Sequence, residues 1–297
     1  MLRAIKDLSA EDVEVSAIYW NKKGLFGGDL NGRIHIYETD NSNEGGLCHL
    51  GKIQSYDAHS LAVTSIACIS NLVVSCSLDG SIYKYNLGTG ENEKIAENIN
   101  DCFILCPVES MNALLLGTTS GHLYIYTVSS KSLSEPIKIF DDTAINSISL
   151  HPTLHKAAIL SETELIYFDI DNKTIEKRLK MTADSCTCAA ISDNALSCVV
   201  TTTEGSVRVV DMITFKEVGC VFIEKTELNK VAPIDYGKRF IITGCNGKVF
   251  LFNLNTMLKE PGLAAGKKPL LALAVQPTDM KIAVSGCENT IKLLDFD

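Results

Sequence analysis

The sequence predicts an all-β fold of seven repeated sheets, and three observations carry that prediction. The first is a short pattern that recurs along the chain: an acidic, amide or Ser residue, usually Gly, a polar residue, then alternating apolar positions that end in a large side chain. It occurs as Asn31–Tyr37 (NGRIHIY), Asp79–Tyr85 (DGSIYKY), Ser120–Tyr126 (SGHLYIY), Glu162–Phe168 (ETELIYF), Glu204–Val210 (EGSVRVV), Asn246–Phe252 (NGKVFLF) and Glu288–Leu294 (ENTIKLL). The second is its spacing: starts at 31, 79, 120, 162, 204, 246 and 288 differ by 48, 41, 42, 42, 42 and 42. The third is the absence of helical periodicity between the anchors. A repeat of about 42 residues holding several short strands has the length of one propeller blade. The expected fold is therefore a seven-bladed β-propeller, one domain over residues 1–297.

Within each repeat the elements follow one order. An apolar segment opens it, as at Val15–Ile18, Val63–Ile66, Ile145–Ile148 and Leu270–Leu273, and a turn follows, twice containing proline (Pro152, Pro277). A second apolar run, such as Leu72–Cys76 or Arg239–Thr243, leads into the anchor, whose glycine sits where a tight hairpin turn needs positive φ. After the anchor strand comes a polar turn such as Gly88–Gly90 and a weaker fourth strand. The first interval is six residues longer than the usual 42, and the extra chain falls near Thr39–Gly46, whose composition marks a surface loop.

The last anchor stops at Leu294, three residues before Asp297, ahead of the point where every other repeat places its outermost strand. The N-terminal segment can supply that strand. Shifting by 48 positions aligns Ile5–Glu11 with Ile53–His59. Residues 2–8 are thus expected to pair with the strand ending near Leu294, which closes the ring and removes open edges.

Composition narrows the function. Lys+Arg is 27 against Asp+Glu 36, a net charge of -9, which argues against direct binding of a nucleic-acid backbone. No apolar stretch is long enough for a membrane helix, and Met1–Leu8 carries charges throughout, unlike a signal peptide. Most of the 11 cysteines sit inside apolar runs, as at Val73–Cys76 and Ser197–Val200. This reads as reduced thiols in an intracellular protein, cytoplasmic or nuclear. The sequon Asn172–Thr174 reads as a turn.

No metal, phosphate-loop or nucleophile motif is present, so no catalytic residue, cofactor or metal is expected. His151 and His155 have a metal-like spacing but fall in a turn. Cys186 and Cys188 would share one strand face but lack a second ligand pair. Asp79, before a turn glycine, reads as structural. Trp20, the only tryptophan, ends an inner strand, where it either packs or makes a partly exposed contact.

The repeats resemble those of the WD-repeat family over essentially the whole chain. The Trp-Asp pair is degenerate, appearing as Tyr37-Glu38, Tyr85-Asn86, Tyr126-Thr127, Phe168-Asp169, Val210-Asp211, Phe252-Asn253 and Leu294-Asp295. The Gly-His signature survives best as Ala58-His59. The resemblance implies a structural hydrogen-bond set in the second blade: His59, Ser77 (or Ser75), Asp79 and Tyr85. It also implies that partners dock on the loops before the inner strands and on the residues just before the anchors. In the first two blades these are Val13, Leu30, Leu61 and Leu78, which either form an apolar interface patch or fold inward over the blade ends. The implied role is a non-catalytic scaffold that binds other protein subunits, a monomeric propeller within a hetero-complex. Ser77–Glu91 and Glu97–Asp101 are similar to the small WD-repeat subunits of Ski-type complexes, which act in cytoplasmic mRNA decay and transcription elongation. The pattern also suits methylosome WD-repeat adaptors. Two further readings are a short-peptide reader, which needs an Arg cluster or aromatic cage, and a propeller enzyme, which needs convergent carboxylates or histidines. Arginine is sparse, at positions 3, 33, 178, 208 and 239.

Overall fold

The structure, a computed structural model, describes residues 2–9, 14–40, 49–96, 99, 101–183, 185–276, 281–286 and 288–296. It is a seven-bladed β-propeller by class: seven antiparallel sheets, with the strands of each in sequence order except in the seventh, where the first strand of the chain pairs with the last. The chain divides into two compact units, residues 1–100 with 271–297 and residues 101–270.

The first unit opens with β1 (Leu2–Ser9). The first blade is β2 (Val15–Asn21), β3 (Gly24–Asp29), β4 (Arg33–Asp40) and β5 (His49–Asp57). The second is β6 (Val63–Ile69), β7 (Leu72–Ser77), β8 (Ile82–Asn86) and β9 (Asn92–Ala96). In the second unit the third blade holds β10 (Cys102–Val108), β11 (Ala113–Thr118), β12 (His122–Thr127) and an outer strand broken at Pro136 into β13 (Ser132–Leu133) and β14 (Ile137–Lys138), both paired with β12. Proline cannot donate to a ladder, so the break falls where the sequence places it. The fourth blade is β15 (Ser147–Leu150), β16 (Lys156–Leu160), β17 (Glu164–Asp169) and β18 (Thr174–Lys180). The fifth is β19 (Cys186–Ile191), β20 (Ser197–Thr202), β21 (Ser206–Asp211) and β22 (Lys216–Phe222). The sixth is β23 (Leu228–Ile234), β24 (Arg239–Gly244), β25 (Lys248–Asn253) and β26 (Leu258–Ala264). The seventh blade, back in the first unit, is β27 (Leu270–Val275), β28 (Ile282–Gly286) and β29 (Thr290–Phe296), with β1 as its fourth strand.

That last pairing is the closure expected from the 48-residue alignment. β1 runs antiparallel to β29 from Leu2 opposite Phe296 to Ser9 opposite Thr290, with one bulge at Ile5. Arg3 pairs with Asp295 (2.9 Å) and Lys292 with Asp7 (3.3 Å). Leu8 is buried in a cluster with Val15, Trp20, Tyr37 and Leu293. Trp20 is therefore a packing residue. In the long first interval, β4 runs on to Asp40; residues 41–48 lie outside the described residues, as does the turn at Pro277.

Apolar clusters fill the spaces between successive sheets within each unit. In the first unit one joins the seventh and first blades and another the first and second. In the second unit three follow one another between the third and fourth, fourth and fifth, and fifth and sixth blades.

The inner strands add a device that the sequence pattern does not announce. The pairing of the first two strands carries a bulge at the same place in five blades, between Val15 and Ala17, Val63 and Ser65, Cys102 and Ile104, Cys186 and Cys188, and Leu228 and Lys230. A bulge re-aims one side chain. Ser16 Oγ then donates to the carbonyl of Val63, the first residue of the next inner strand (2.7 Å). Thr187 Oγ1 does the same to Leu228 (2.5 Å). In the fourth blade Asn146, just before β15, donates from Nδ2 to the carbonyl of Cys186 (3.1 Å). In the first, fourth and fifth blades a polar residue at or just before the inner strand thus fastens its blade to the next. The bulge at Thr187 also separates the two neighbouring cysteines: Cys186 packs between the fourth and fifth blades and Cys188 between the fifth and sixth. They do not share a face, contrary to plain strand alternation.

Candidate functional site

Three backbone segments of the first unit come together around the expected docking loops: the β3–β4 turn (Leu30–Gly32), the β5–β6 loop (Ala58–Ala62) and the β7–β8 turn (Leu78–Ser81). Gly32 joins the first two. Its φ is +87°, its carbonyl accepts the amides of Ala58 (3.2 Å) and His59 (3.0 Å), and a Cβ there would lie 2.3 Å from the His59 oxygen. Only glycine satisfies both the left-handed backbone and the close approach. The same double acceptance recurs at Gly121, Gly205 and Gly247, so the anchor glycine seats the loop of its own blade as well as making the turn.

The second and third segments are fastened by side chains. Ser77 Oγ donates to the carbonyl of Leu61 (2.9 Å), the Leu78 amide to that of Ala62 (3.0 Å), and the Ser60 amide to Asp79 Oδ2 (2.7 Å). His59 lies beneath them, with Nε2 at 2.8 Å from Ser75 Oγ and Nδ1 at 2.6 Å from Ser81 Oγ. Ser81 Oγ donates to Asp79 Oδ1 (2.5 Å). Because that hydroxyl proton goes to the carboxylate, Ser81 accepts from Nδ1–H, and Nε2 accepts from Ser75. The ring is then neutral. Its burial holds its pKa below the usual histidine value, against the opposing pull of Asp79. Burial disfavours the Asp79 carboxylate, but the Ser81 hydroxyl and the Ser60 and Ser81 amides outweigh it and hold its pKa well below the usual range.

The expected hydrogen-bond set is thus distributed differently. His59 is bonded to Ser75 and Ser81, Ser81 to Asp79, and Ser77 joins at the backbone, donating to the Leu61 carbonyl and accepting the Asp79 amide (3.2 Å). Tyr85 is outside the chain of bonds: its hydroxyl donates to Gln54 Oε1 (3.0 Å) and its ring stacks on Tyr56.

The first blade holds a polar pair that the sequence reading passed over. Asp29 and His35 are both buried, with Asp29 Oδ2 at 2.8 Å from His35 Nε2. Asp29 Oδ1 accepts the amides of Asn31 (2.8 Å) and Arg33 (2.9 Å). Burial works against the Asp29 carboxylate, yet the bonds from His35 and Arg33 lower its pKa. The available signal was Asp29 two residues before the anchor, where Ser77 stands in the second blade.

Above this braced frame the leucines point outward. Leu30 is 39% exposed, Leu61 51% and Leu78 62%. Val13 lies outside the described residues. A rigid backbone presenting exposed apolar side chains is suited to binding another surface, because little ordering entropy is left to lose. The Asp79 carboxylate is taken up by Ser60 and Ser81. Among the described residues no group of three or more His, Cys, Asp or Glu is placed to hold a metal. His151 Nδ1 accepts the amides of Thr153 and Leu154, while His155 faces Asp171. All five arginines are in ion pairs, with Asp295, Asp57, Glu164, Glu217, and Asp235 with Glu260. No helix among the described residues is long and apolar enough to cross a membrane.

Residues 51–86 match the family model described as WD domain, G-beta repeat. The matched stretch runs from β5 to β8 and contains the whole His59 network. No curated protein matches the chain. WD-repeat propellers are in general non-catalytic and mediate contacts between proteins. The matched repeat, together with seven antiparallel sheets of four or five strands, supports the WD-repeat family for this chain.

Proposed function

We propose that the chain is a non-catalytic scaffold within a multiprotein complex, and that a partner subunit docks on the loop face carrying Leu30, Leu61 and Leu78. The observation that carries this is the outward placement of Leu30, Leu61 and Leu78 on segments locked together by Gly32, Ser77 and Asp79. Isolated surface leucines are ordinary, but three on neighbouring braced loops form the apolar centre that interfaces use. The partner is a protein with an apolar anchor for this patch, with no direct contact to nucleic acid or membrane.

The narrower reading is a Ski-type role, bridging helicase and tetratricopeptide subunits in mRNA decay; the likeness of Ser77–Glu91 supports it. Purification of the tagged chain from native extract, followed by mass spectrometry, tests both levels. Stable associates that a Leu61→Asp, Leu78→Asp variant loses support the docking face. Recovery of the chain alone counts against the scaffold, and associates other than a helicase and a tetratricopeptide protein overturn the Ski-type role.

A further inference from the structure

Among the described residues six buried side-chain polar atoms have no hydrogen-bond partner: Trp20 Nε1, His35 Nδ1, Arg208 Nε, Thr243 Oγ1, Gln276 Oε1 and Ser285 Oγ. Four of the six face a single seam of the first unit, the one between the seventh and first blades. Trp20 lies in the apolar cluster that fills this seam. His35 shares a face of β4 with Tyr37, Ser285 shares a face of β28 with Ala283, and Gln276 continues the side of β27 that carries Ala272 and Ala274; all four of these apolar neighbours belong to the same cluster. Trp20 and Gln276 stand at the strand ends far from the anchors, His35 and Ser285 at the ends near them. The unpaired groups therefore run the length of the seam.

A buried polar group without a partner loses its bond to water when the seam closes and regains it when the seam opens. The packing set against that loss is thin, because β27 and β28 present only Ala272, Ala274 and Ala283 to the cluster. The side-chain tie between inner strands is also missing. At the second residue of the inner strand β2, β19 and β23 carry Ser16, Thr187 and Asn229, and each donates to the first residue of the next inner strand (2.7, 2.5 and 2.7 Å). At that position β27 carries Leu271, whose side chain has no donor. The neighbouring seam, between the first and second blades, is built tightly. It has the Ser16 bond, the Tyr56–Tyr85 stack, and Val63 pressed so close to Gly28 that a Cβ there would lie 2.4 Å away. We propose that the seam between the seventh and first blades is a built-in opening point. There the sheet of β2–β5 parts from the sheet of β27–β29 and β1, while both sheets and the seam between the first and second blades stay intact.

Trp20, the only tryptophan, reports this seam, and buried cysteines report others: Cys68 lies between the first and second blades, Cys186 and Cys198 between the fourth and fifth, and Cys188 between the fifth and sixth. Acrylamide quenching of Trp20 in the full chain, followed against urea, with pulsed thiol labelling of the same samples read by mass spectrometry, tests the proposal. Trp20 is expected to become quenchable at a lower urea concentration than the one at which these four cysteines label. Ser285→Ala removes one unpaired hydroxyl without adding volume, and should lower the quenchable fraction below the main transition by about fivefold or more. Thr243→Val, which removes an unpaired hydroxyl of the second unit, should leave that fraction unchanged. Exposure of Trp20 together with Cys68 overturns the proposal, since the first unit then opens as a whole. So does a quenchable fraction raised by Ser285→Ala, since the hydroxyl then holds the seam closed through water bound in it.

Discussion

Removing β1 tests the closure of the seventh blade. Deleting residues 1–9 uncovers the β29 edge and takes Leu2 and Leu8, each 6% exposed, out of the fold. The lost ladder bonds and the chain entropy regained by eight residues are of similar size and opposite sign. The apolar term therefore sets the scale. Two leucines at about 2 kcal/mol each give a loss of about 4 kcal/mol. A chain of this length loses roughly 2 °C of melting temperature per kcal/mol, so the expected drop is about 6–8 °C by calorimetry or circular dichroism. The bared β29 edge should also raise light scattering before the transition. Leu8→Ala alone keeps the strand but opens a cavity beside Trp20 and Tyr37, and should cost about 2–4 kcal/mol. A truncated chain that melts within about 2 °C of wild type without scattering would refute the closure as a source of stability.

Thr187→Val keeps shape but leaves the Leu228 carbonyl without its donor, so chemical denaturation should show a loss of about 1–3 kcal/mol, with Thr187→Ser close to wild type. Equal stability of the two variants would show that the bulge side chain does not fasten the blades. His59 has a pKa held by burial below the ordinary histidine value, so its unfolded form binds the proton first. Stability should be full above about pH 6.5 and fall as pH drops below it, by at most about 1.4 kcal/mol per pH unit. His59→Gln should flatten that part of a melting-temperature profile, while His151→Gln, also lowered by burial but on an exposed turn, should change it less. Asp29 and Asp79 have lowered pKa values, so what they contribute is present above about pH 4 and is lost only on further acidification. Leu61→Asp with Leu78→Asp should leave melting within about 0.5 kcal/mol of wild type, since both side chains are exposed, while co-purifying proteins are lost; associates retained in full would move the docking site elsewhere.

The blade count was legible because it rests on length: a 42-residue period survives even where the anchor residues degenerate, as in the fourth repeat, which has Thr163 in place of glycine. There the turn closes differently, with Ser161 N donating to the Glu164 carbonyl. The β1–β29 pairing was legible for the same reason, as a register shift of the first interval. The bulges were not. Ser16 and Thr187 look like ordinary polar positions of an alternating strand, and only pairing partners reveal that each is the extra residue. The Asp29–His35 pair was equally hidden, since His35 sits in the anchor pattern where other repeats have Tyr83, Tyr124, Arg208 or Phe250. Whether Leu30, Leu61 and Leu78 turn inward or outward was open because loop orientation has no period to read.

The degenerate Trp-Asp pairs raise the question of what holds blades that lack the His59 network. In the second unit the answer is visible between the fourth, fifth and sixth blades. Ser147 both donates to the Ala189 carbonyl (3.2 Å) and accepts its amide (3.1 Å), Ser149 accepts the Ile191 amide (3.0 Å), and Asn146 and Thr187 reach the next inner strand. These bonds cross from blade to blade, whereas the His59 network ties the loops and strands of a single blade. Each is worth about 1 kcal/mol, but each also fixes the register of neighbouring sheets whose facing side chains are mostly Ala, Val, Ile and Cys and would otherwise slide. The fourth and fifth repeats thus lack the histidine and tryptophan and are still placed, through Asn146, Ser147, Ser149 and Thr187. That division explains why one repeat matches a family model while all seven fold alike.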